Sequence, residues 1–425
     1  MPMVYIETYG CAANQSDSEI MAGLLARAGF QIVSNIEDAD IVILNTCVVK
    51  RATENRMYER IKELNKKYSE RLIIAGCMPV SEYERVKEIT SASLIGPRSV
   101  SKIVGVVSKV IQGKHIEEFD EGEDKICLTK ISKNKIIDIV QIAEGCASAC
   151  SFCLTKYARG NLHSYPIEKI VKEISEAKAA GFKEFWLTAQ DCGCYGFDID
   201  SSLPELINKI TKEVKGKYLL RLGMINPKHA KKILPELIEC YKNEHVFKFL
   251  HIPVQSGSDR ILKLMLRGYS VEDFVNIISE FRKEIPDITI WTDIIVGFPT
   301  ETEDDFKASL KLLEEIQPDF TNISGYSLMP GTKAATLPQL STEIKKERTR
   351  KISEVVERII MEKNKRWLGW TGEVLIDEYN YNKGNFIGRN YAYKPIILKE
   401  RLRIGEFVKV KITDAKKTGL IGSIT

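Results

Sequence analysis

The stretch IIDIVQIAEGCASACSFC, residues 136–153, joins a run of apolar, β-branched residues directly to a cysteine-rich loop. The apolar run has the length and composition of a buried strand. Cys146, Cys150 and Cys153 follow it with the spacing C-x3-C-x2-C, so one short loop supplies three soft ligands. Barrels of parallel strands build their sites at the carboxyl ends of those strands. We therefore expect a metal site beyond the first strand of such a barrel.

Strand-like and helix-like segments alternate from about residue 135 to residue 366. The run IEKIVKEISEAKAAG (167–181) places its apolar residues on one helical stripe and ends at Gly181. FKEFWLTA (182–189) is typical of the next strand, and the alternation continues through YLLRLGMI, VFKFLHI, ITIWTDIIV and FTNISGYSL. About six such units predict an α/β architecture, a partial (β/α)6 barrel over residues 132–366.

Two further domains and a linker are predicted around this barrel. Residues 1–116 show a shorter alternation, with strands near MVYIETY, DIVILNT and RLIIAG, which indicates an N-terminal α/β three-layer domain. Residues 117–131 contain the charged run EEFDEGEDK and are predicted to form the linker. Residues 367–425 consist of short β-like runs broken by Gly, Asn and Asp, which favours a small all-β barrel.

The bulk composition is that of a globular protein with a mild formal net charge of +4. This charge permits a nucleic-acid partner without requiring one. The N-terminus lacks the pattern of a signal peptide, and no run approaches the ~18 apolar residues of a spanning helix. We therefore expect a cytoplasmic protein with no membrane association. In a reducing compartment, its ten cysteines are expected to be metal ligands or buried thiols rather than disulfides.

Two kinds of metal site fit the loop that contains Cys146, Cys150 and Cys153: zinc, or a [4Fe–4S] cluster with one open iron. A structural zinc site needs a closed fourth position, and no suitable Cys or His pair flanks the loop, so the cluster is favoured. Chance thiols are the third interpretation. Cys192 and Cys194 follow the second barrel strand, and we expect non-ligand thiols that can line the cavity.

A second set of three cysteines is dispersed along the N-terminal domain. Cys11, Cys47 and Cys77 each fall just beyond a predicted strand. The ends of parallel strands share one edge of a sheet, so the three sulfurs are expected to converge there. This set again indicates a cluster with an open iron. The alternative is that all three are ordinary buried thiols.

The motifs of the whole chain resemble those of the radical S-adenosylmethionine (SAM) methylthiotransferase family. YGCAANQSDSE, NTC and AGCMP resemble its N-terminal domain, and GCASACSFC, PVQSGSDRILKLMLRGYS and DIIVGFPTETEDDF resemble its radical SAM barrel. The C-terminal region resembles a TRAM domain, a small RNA-binding barrel. ARGNLHSYP and LTAQDCGCYG are most similar to the archaeal and eukaryotic-type branch, which acts on threonylcarbamoyladenosine beside the tRNA anticodon. Bacterial branches more often carry SRP after the cluster loop, and Tyr165 stands where they have Arg.

The resemblance implies two [4Fe–4S] clusters and SAM as cofactors, and the anticodon stem-loop of a tRNA as partner. The auxiliary cluster on Cys11, Cys47 and Cys77 would hold a sulfur that a first SAM methylates. The cluster on Cys146, Cys150 and Cys153 would cleave a second SAM, and the resulting radical would activate C2 of the adenine. An aromatic C2–H bond is not acidic, which agrees with the lack of an obvious acid–base pair in the sequence. The electron donor and the sulfur source stay open.

Polar residues at the barrel strand ends are the candidates for binding SAM, and one aromatic residue is a candidate for packing on its adenine. They are Phe152, Gln190, Asp191, Arg221, Gln255 and Asp293. In the C-terminal barrel, aromatic residues alternate with cations, as expected of a surface that stacks bases and holds phosphates. The predicted RNA contacts there are Arg389, Tyr391 and Lys394.

Three other functions remain open from the sequence. The methylthio acceptor can be isopentenyladenosine in tRNA or a ribosomal protein side chain. The chain can also be a non-catalytic RNA-binding protein stabilised by clusters, although neither cysteine set offers the fourth thiolate that a purely structural cluster normally has.

Overall fold

The computed structural model describes residues 1–48 and 51–425. The N-terminal domain is a parallel sheet of six strands in the order β2-β1-β3-β4-β5-β6. The strands are β1 (Met3–Thr8), β2 (Gln31–Ile32), β3 (Ile41–Thr46), β4 (Leu72–Gly76), β5 (Ser93–Ile95) and β6 (Glu117–Glu118). The helices are α1 (Ala12–Arg27), α2 (Arg51–Tyr68), α3 (Met78–Ser81), α4 (Tyr83–Ile89) and α5 (Ile103–Ile111). Strands β3 and β4 are buried along their whole length, because helices cover both faces of a parallel sheet.

The central domain contains six principal parallel strands that form two neighbouring sheets, β11-β10-β7 and β12-β13-β14. A parallel bridge between Leu220 and Val246 connects the two sheets. The strands of this domain are β7 (Ile137–Gln141), β8 (Ala143–Glu144), β9 (His163–Ser164), β10 (Glu184–Thr188), β11 (Leu219–Leu222), β12 (Phe249–His251), β13 (Thr289–Val296) and β14 (Phe320–Gly325). The predicted partial barrel is therefore confirmed.

The helices of the central domain lie between and after these strands. They are α6 (Thr155–Arg159), α7 (Ile167–Ala179), α8 (Leu203–Glu213), α9 (Pro227–Ala230), α10 (Leu234–Lys242), α11 (Asp259–Leu264), α12 (Val271–Glu284), α13 (Glu303–Ile316) and α14 (Thr342–Lys365). Helix α7 buries Ile170, Val171 and Ile174, the apolar stripe that its sequence predicts. Capping boxes at Ser270 and Thr302 begin α12 and α13.

The C-terminal domain is a closed five-stranded barrel in the order β15-β16-β17-β19-β18, as the sequence predicted. Its strands are β15 (Thr371–Asn380), β16 (Asn385–Arg389), β17 (Pro395–Leu398), β18 (Phe407–Lys416) and β19 (Gly419–Ile424). It contacts residues at the amino ends of the central strands: Asn134 donates to the carbonyl of Asp377, and the Lys248 amide donates to the carbonyl of Tyr391. The C-terminal barrel therefore lies at the end of the central barrel opposite the cysteine loop.

The segment 117–131, predicted as a linker, is packed against both of its neighbours. Its first two residues form β6 and pair with β5. Further along, Thr129 passes so close to α1 that a Cβ on Gly23 would lie 2.2 Å from the Thr129 carbonyl oxygen. Lys125 is buried in this segment and pairs with Asp17 and Glu144. The charged segment is thus part of the junction between the first two domains.

None of the helices among the described residues is both long enough and apolar enough to span a membrane.

Candidate functional site

The three N-terminal cysteines meet because of the register of the parallel strands. Thr46 at the end of β3 pairs with Gly76 at the end of β4, so Cys47 and Cys77 follow neighbouring strands at the same level. The Cys77 amide donates to the Thr46 carbonyl oxygen at 3.1 Å. Cys11 follows β1, on the other side of β3. We call Cys11, Cys47 and Cys77 the auxiliary site.

Asn14 and Gly10 shape the interior of the auxiliary site. Asn14 Oδ1 lies 3.9 Å from Cys11 Sγ and 4.0 Å from Cys77 Sγ, while its amide donates to the Thr46 carbonyl at 2.7 Å. A Cβ on Gly10, whose φ is +116°, would lie 2.9 Å from Cys47 Sγ. The missing side chain therefore leaves room beside the sulfurs, as a multinuclear group needs.

Among the described residues, the auxiliary site is more open at Cys11 than at its other two cysteines. Cys47 and Cys77 are buried, whereas Cys11 is exposed. Burial raises the pKa of Cys77 to about 12, and Cys11 and Cys47 add to this rise. Thiolates are the form that binds metal, and clustered buried thiolates are stable only when a metal centre balances their charge. The donor set therefore fits an iron–sulfur cluster with one accessible face.

Cys146, Cys150 and Cys153 lie in the loop after β7 and β8, and we call them the barrel site. Gly145 fixes the start of this loop: its φ is +73°, and a Cβ there would lie 1.9 Å from the Asn161 carbonyl oxygen. The backbone amide of Ser148 donates to Cys146 Sγ at 3.3 Å. Arg267 Nη1 donates to Cys150 Sγ at 3.1 Å. Hydrogen bonds to sulfur are typical of cluster ligands, so this donor set also fits a cluster.

Arg267 was not singled out by the sequence analysis. It is buried, and it also donates to Tyr269 Oη and to the Pro253 carbonyl oxygen. Burial raises the pKa of the Cys150 thiol, and the Arg267 guanidinium opposes that rise. In the sequence, Arg267 is marked only by its position in the motif LMLRGYS.

Cys194 also differs from expectation in its surroundings. It is fully buried, like Cys192, but its sulfur lies within 4.8 Å of ligand atoms of Cys146 and Asp191. A hydrogen bond from Cys194 is the largest cause that lowers the pKa of Cys146, to about 7. Cys192 Sγ instead lies 3.6 Å from the Leu187 carbonyl oxygen. The barrel site therefore has a fourth thiol beside it, supplied by the second strand.

The proposed SAM residues at the strand ends fall into two groups. Gln190 Oε1 is buried and has no hydrogen-bond partner in the described part of the chain, so it is free to accept a bond from a ligand. Asp191 accepts from His229 Nδ1 at 2.8 Å and from the amides of Gly193 and Asn226. Asp191 is therefore occupied in shaping the loop that carries Cys194.

Asp293 and Gln255 meet on β13 and the loop after β12. Asp293 accepts from Asn322 Nδ2 at 2.6 Å, and its other carboxylate oxygen lies 2.9 Å from His251 Nε2. Gln255 has a φ of +75°, and its amide donates to the Asp293 carbonyl oxygen. Phe152 is half-buried and packs edge-on against Phe298, with ring centroids 6.3 Å apart.

The prediction that Arg221 binds SAM is not supported by its surroundings. Its guanidinium lies over the rings of Trp186, Phe249 and Tyr393, at 4.8, 5.2 and 5.4 Å from their centroids. Tyr393 belongs to the C-terminal barrel and packs against Phe249 at the start of β12. Arg221 therefore lies at the junction of the two barrels, because aromatic rings from both enclose its cation.

The predicted RNA contacts Arg389 and Lys394 are also at this junction. Arg389 Nε donates to Asp377 Oδ2 at 3.0 Å, and Lys394 Nζ donates to Asp319 Oδ1 at 2.7 Å. Lys394 is 4% exposed, so it cannot reach a phosphate in this structure. Tyr391 is 38% exposed, but its hydroxyl donates to Asp287. The structure pairs both cations with carboxylates, and the sequence does not show which carboxylates they meet.

A different part of the C-terminal barrel carries a cluster of aromatic side chains with one highly exposed member. Tyr379, Tyr381 and Phe386 lie around the β15–β16 hairpin, with Tyr379 4.9 Å from Tyr381 and 4.7 Å from Phe386 between ring centroids. Tyr381 is 88% exposed, and Lys383 is exposed beside it. We call these four residues the aromatic hairpin.

Comparison with known proteins agrees with this three-part architecture. Residues 3–96 match the model of uncharacterized protein family UPF0004, residues 140–313 match the radical SAM superfamily, and residues 365–425 match the TRAM domain. Among solved structures, a radical SAM methyltransferase from Kitasatospora setae, TsrM, superposes with a TM-score of 0.57 over 79% of this chain and 75% of that one. At 14% sequence identity, this similarity concerns the fold alone.

Curated relatives extend over the whole chain. A probable threonylcarbamoyladenosine tRNA methylthiotransferase from Pyrococcus horikoshii is 42% identical over 428 residues, which is 100% of both chains. The protein of that name from Methanocaldococcus jannaschii is 42% identical over 99% of this chain and 96% of its own. The human threonylcarbamoyladenosine tRNA methylthiotransferase is 36% identical over 97% of this chain and 72% of its own. The chain therefore belongs to the threonylcarbamoyladenosine tRNA methylthiotransferase family of radical SAM enzymes.

Proposed function

We propose that this protein transfers a methylthio group to C2 of N6-threonylcarbamoyladenosine at position 37 of tRNA. The observation that carries the proposal is the presence of two separate three-cysteine sites, each beyond the carboxyl ends of parallel strands. The full-length relatives support this substrate by their names. Two such sites suit a reaction with two parts, sulfur delivery and radical activation of an unreactive C–H bond.

We assign the barrel site and the auxiliary site each to one [4Fe–4S] cluster. A reduced cluster held by the cysteines of the barrel site would supply, together with SAM, a 5′-deoxyadenosyl radical. Around it, Arg267 and the Ser148 amide stabilise sulfur by hydrogen bonds, and Gln190 Oε1 is available to accept from the amino group of SAM. Phe152 offers an apolar ring beside this loop for the adenine.

The auxiliary site is assigned to sulfur delivery because of its exposure. Cys11 is exposed while Cys47 and Cys77 are buried, so the accessible face lies beside Cys11. Helix α6 begins two residues after Cys153 and ends at Arg159, which bonds Asn14 of the auxiliary site. A helix of five residues spans roughly 7 Å, so this segment holds the two sites close together.

The aromatic hairpin is the proposed contact for tRNA. Exposed aromatic rings stack on unpaired bases, and a neighbouring cation such as Lys383 contacts phosphate. This assignment replaces Arg389 and Lys394, whose charges are paired with Asp377 and Asp319.

Anaerobic turnover with defined tRNA tests the proposal. The purified protein, reconstituted with iron and sulfide, is incubated with SAM, a reductant and tRNA that carries threonylcarbamoyladenosine. We expect nucleoside mass spectrometry to show the 2-methylthio derivative and to show none with tRNA lacking the threonylcarbamoyl group. Modification of tRNA carrying isopentenyladenosine alone, or of a ribosomal protein alone, would overturn the substrate assignment. Binding of tRNA without 5′-deoxyadenosine formation would overturn the enzymatic one.

A further inference from the structure

Arg159 is a buried cation that contacts both cysteine-bearing domains. Its side chain is fully buried. Nη1 donates to Glu144 Oε1 at 2.9 Å, and Nη2 donates to Asp17 Oδ2 at 2.7 Å and to Asn14 Oδ1 at 2.8 Å. Glu144 lies in the strand that precedes the barrel site, whereas Asp17 and Asn14 lie on α1 beside Cys11.

Lys125 contributes a second cation to the same carboxylates. Its Nζ donates to Asp17 Oδ1 at 2.8 Å and to Glu144 Oε1 at 2.7 Å. Two cations and two carboxylates therefore balance in charge. Lys125 alone already bridges the two carboxylates. Holding the two domains together therefore does not explain why Arg159, with its additional donors, is the second cation.

One donor of Arg159 is left over from this network. Arg159 Nε is buried and has no hydrogen-bond partner among the described residues. An unpartnered buried donor is costly, because it has lost its bonds to water without a replacement, so its presence calls for an explanation. Arg159 also lies near the auxiliary sulfurs: its Nη2 bonds Asn14 Oδ1, and that oxygen lies 3.9 and 4.0 Å from the sulfurs of Cys11 and Cys77.

We propose that Arg159 is a positioning residue for the auxiliary site, with Nε as a hydrogen-bond donor to the sulfur of Cys77 when the site holds its cluster. The inference rests on the proposed function in that it takes the auxiliary site to be a cluster site. The Arg159 guanidinium also opposes the burial-induced rise of the Cys77 pKa, which agrees with this contact. A cation next to a cluster favours the reduced, more negative form. Arg159 therefore raises the reduction potential of the auxiliary cluster and fixes it relative to the barrel site.

The test isolates the auxiliary cluster and measures its potential. In a background with Cys146, Cys150 and Cys153 changed to Ala, the double variant Arg159→Met, Glu144→Gln removes one cation and one carboxylate together. Its matched control, Lys125→Met, Glu144→Gln, removes the other cation and the same carboxylate. Both retain one ion pair to Asp17, so both conserve the net charge of the junction.

Potentiometric titration followed by electron paramagnetic resonance separates the outcomes. We expect the Arg159 variant to titrate at a lower potential than the background protein, and the Lys125 control to titrate as the background does. If the Arg159→Met variant folds poorly, Arg159→Lys is measured instead. Because this variant keeps the charge, we expect its reduction potential to be lowered less. Equal potentials in the Arg159 and Lys125 variants, both loaded with iron, would overturn the inference. Absence of any cluster from the background protein would instead overturn the proposed auxiliary cluster itself.

Discussion

The two ends of the central barrel carry buried cations with different partners. At the carboxyl ends of the strands, Arg267 donates to Cys150 Sγ, and Arg159 lies beside the auxiliary site. At the amino ends, Arg389 and Lys394 pair with Asp377 and Asp319. A buried cation is stable only with a compensating partner, and the partner decides its role. The first end is therefore organised around sulfur, and the second end fastens the C-terminal barrel.

The largest effect is expected from removing single cysteines at the first end. Cys150→Ala should abolish 5′-deoxyadenosine formation, because two thiolates do not hold the barrel cluster. Cys47→Ala should retain that product but lose the methylthio product. High-performance liquid chromatography and nucleoside mass spectrometry measure the two products. Cys240→Ala, at a buried thiol on α10, is the control, expected to retain both the iron of the barrel site and the product. Equal defects in all three variants would contradict the assignment of radical formation to the barrel site and sulfur delivery to the auxiliary site.

Lys394→Met tests the second end. Removing one partner of a buried pair typically costs about 3–5 kcal/mol, because Asp319 is then left buried and uncompensated. We expect a lower midpoint in anaerobic denaturant unfolding, with the salt dependence of tRNA binding unchanged under native conditions. Lys399→Met, at an exposed lysine of the same barrel, is the control and should change stability little. If Lys394→Met instead weakened the salt dependence of tRNA binding without loss of stability, Lys394 would be an RNA contact after all.

Tyr381→Ala separates RNA binding from domain attachment. Stacking of one base on an aromatic ring is worth about 1–3 kcal/mol, so we expect tRNA affinity to fall by roughly fivefold or more. Fluorescence anisotropy with labelled anticodon stem-loop measures the affinity. Tyr381→Phe keeps the ring and is expected to bind as the parent does. A similar loss in both variants would indicate that the hydroxyl, rather than stacking, makes the contact.

Glu184→Gln should change the pH dependence of stability at the second end. Burial is the largest cause that raises the pKa of Glu184 to about 8, and the nearby Asp377 adds to it. Between the ordinary carboxyl pKa and this value, the folded state binds a proton that the unfolded state has released, so stability falls as pH rises.

The variant removes that loss, and we expect Tm to rise relative to the parent at pH 8 by roughly 2–4 °C for each kcal/mol recovered. The Tm values of the variant and the parent should converge near pH 4. Calorimetry at the two pH values measures the difference. A constant difference at both values would contradict the assigned titration.

The domain order and both cysteine sites followed from local patterns. Alternating strand and helix signals predict parallel sheets, and each N-terminal cysteine stands just after a strand, so the shared sheet edge brings them together. The barrel site needed only the spacing of one loop. The strand periodicity of residues 371–424 likewise predicted a small barrel. In these cases the deciding interactions lie within an element or between adjacent strands.

The sequence by itself determined the candidate ligand residues and their positions at strand ends, because backbone periodicity and loop spacing are local properties. The tertiary structure decided which cations face sulfur, carboxylate or solvent. Lys394 and Arg389 looked like RNA contacts until Asp319 and Asp377 were brought to them across a domain junction. Arg159 meets Asn14 across the other domain junction, and Cys194 meets Cys146 from a different loop of the central barrel. Which residues pair over long range depends on how elements and domains pack. The order of residues in the sequence does not show which partner each side chain will meet.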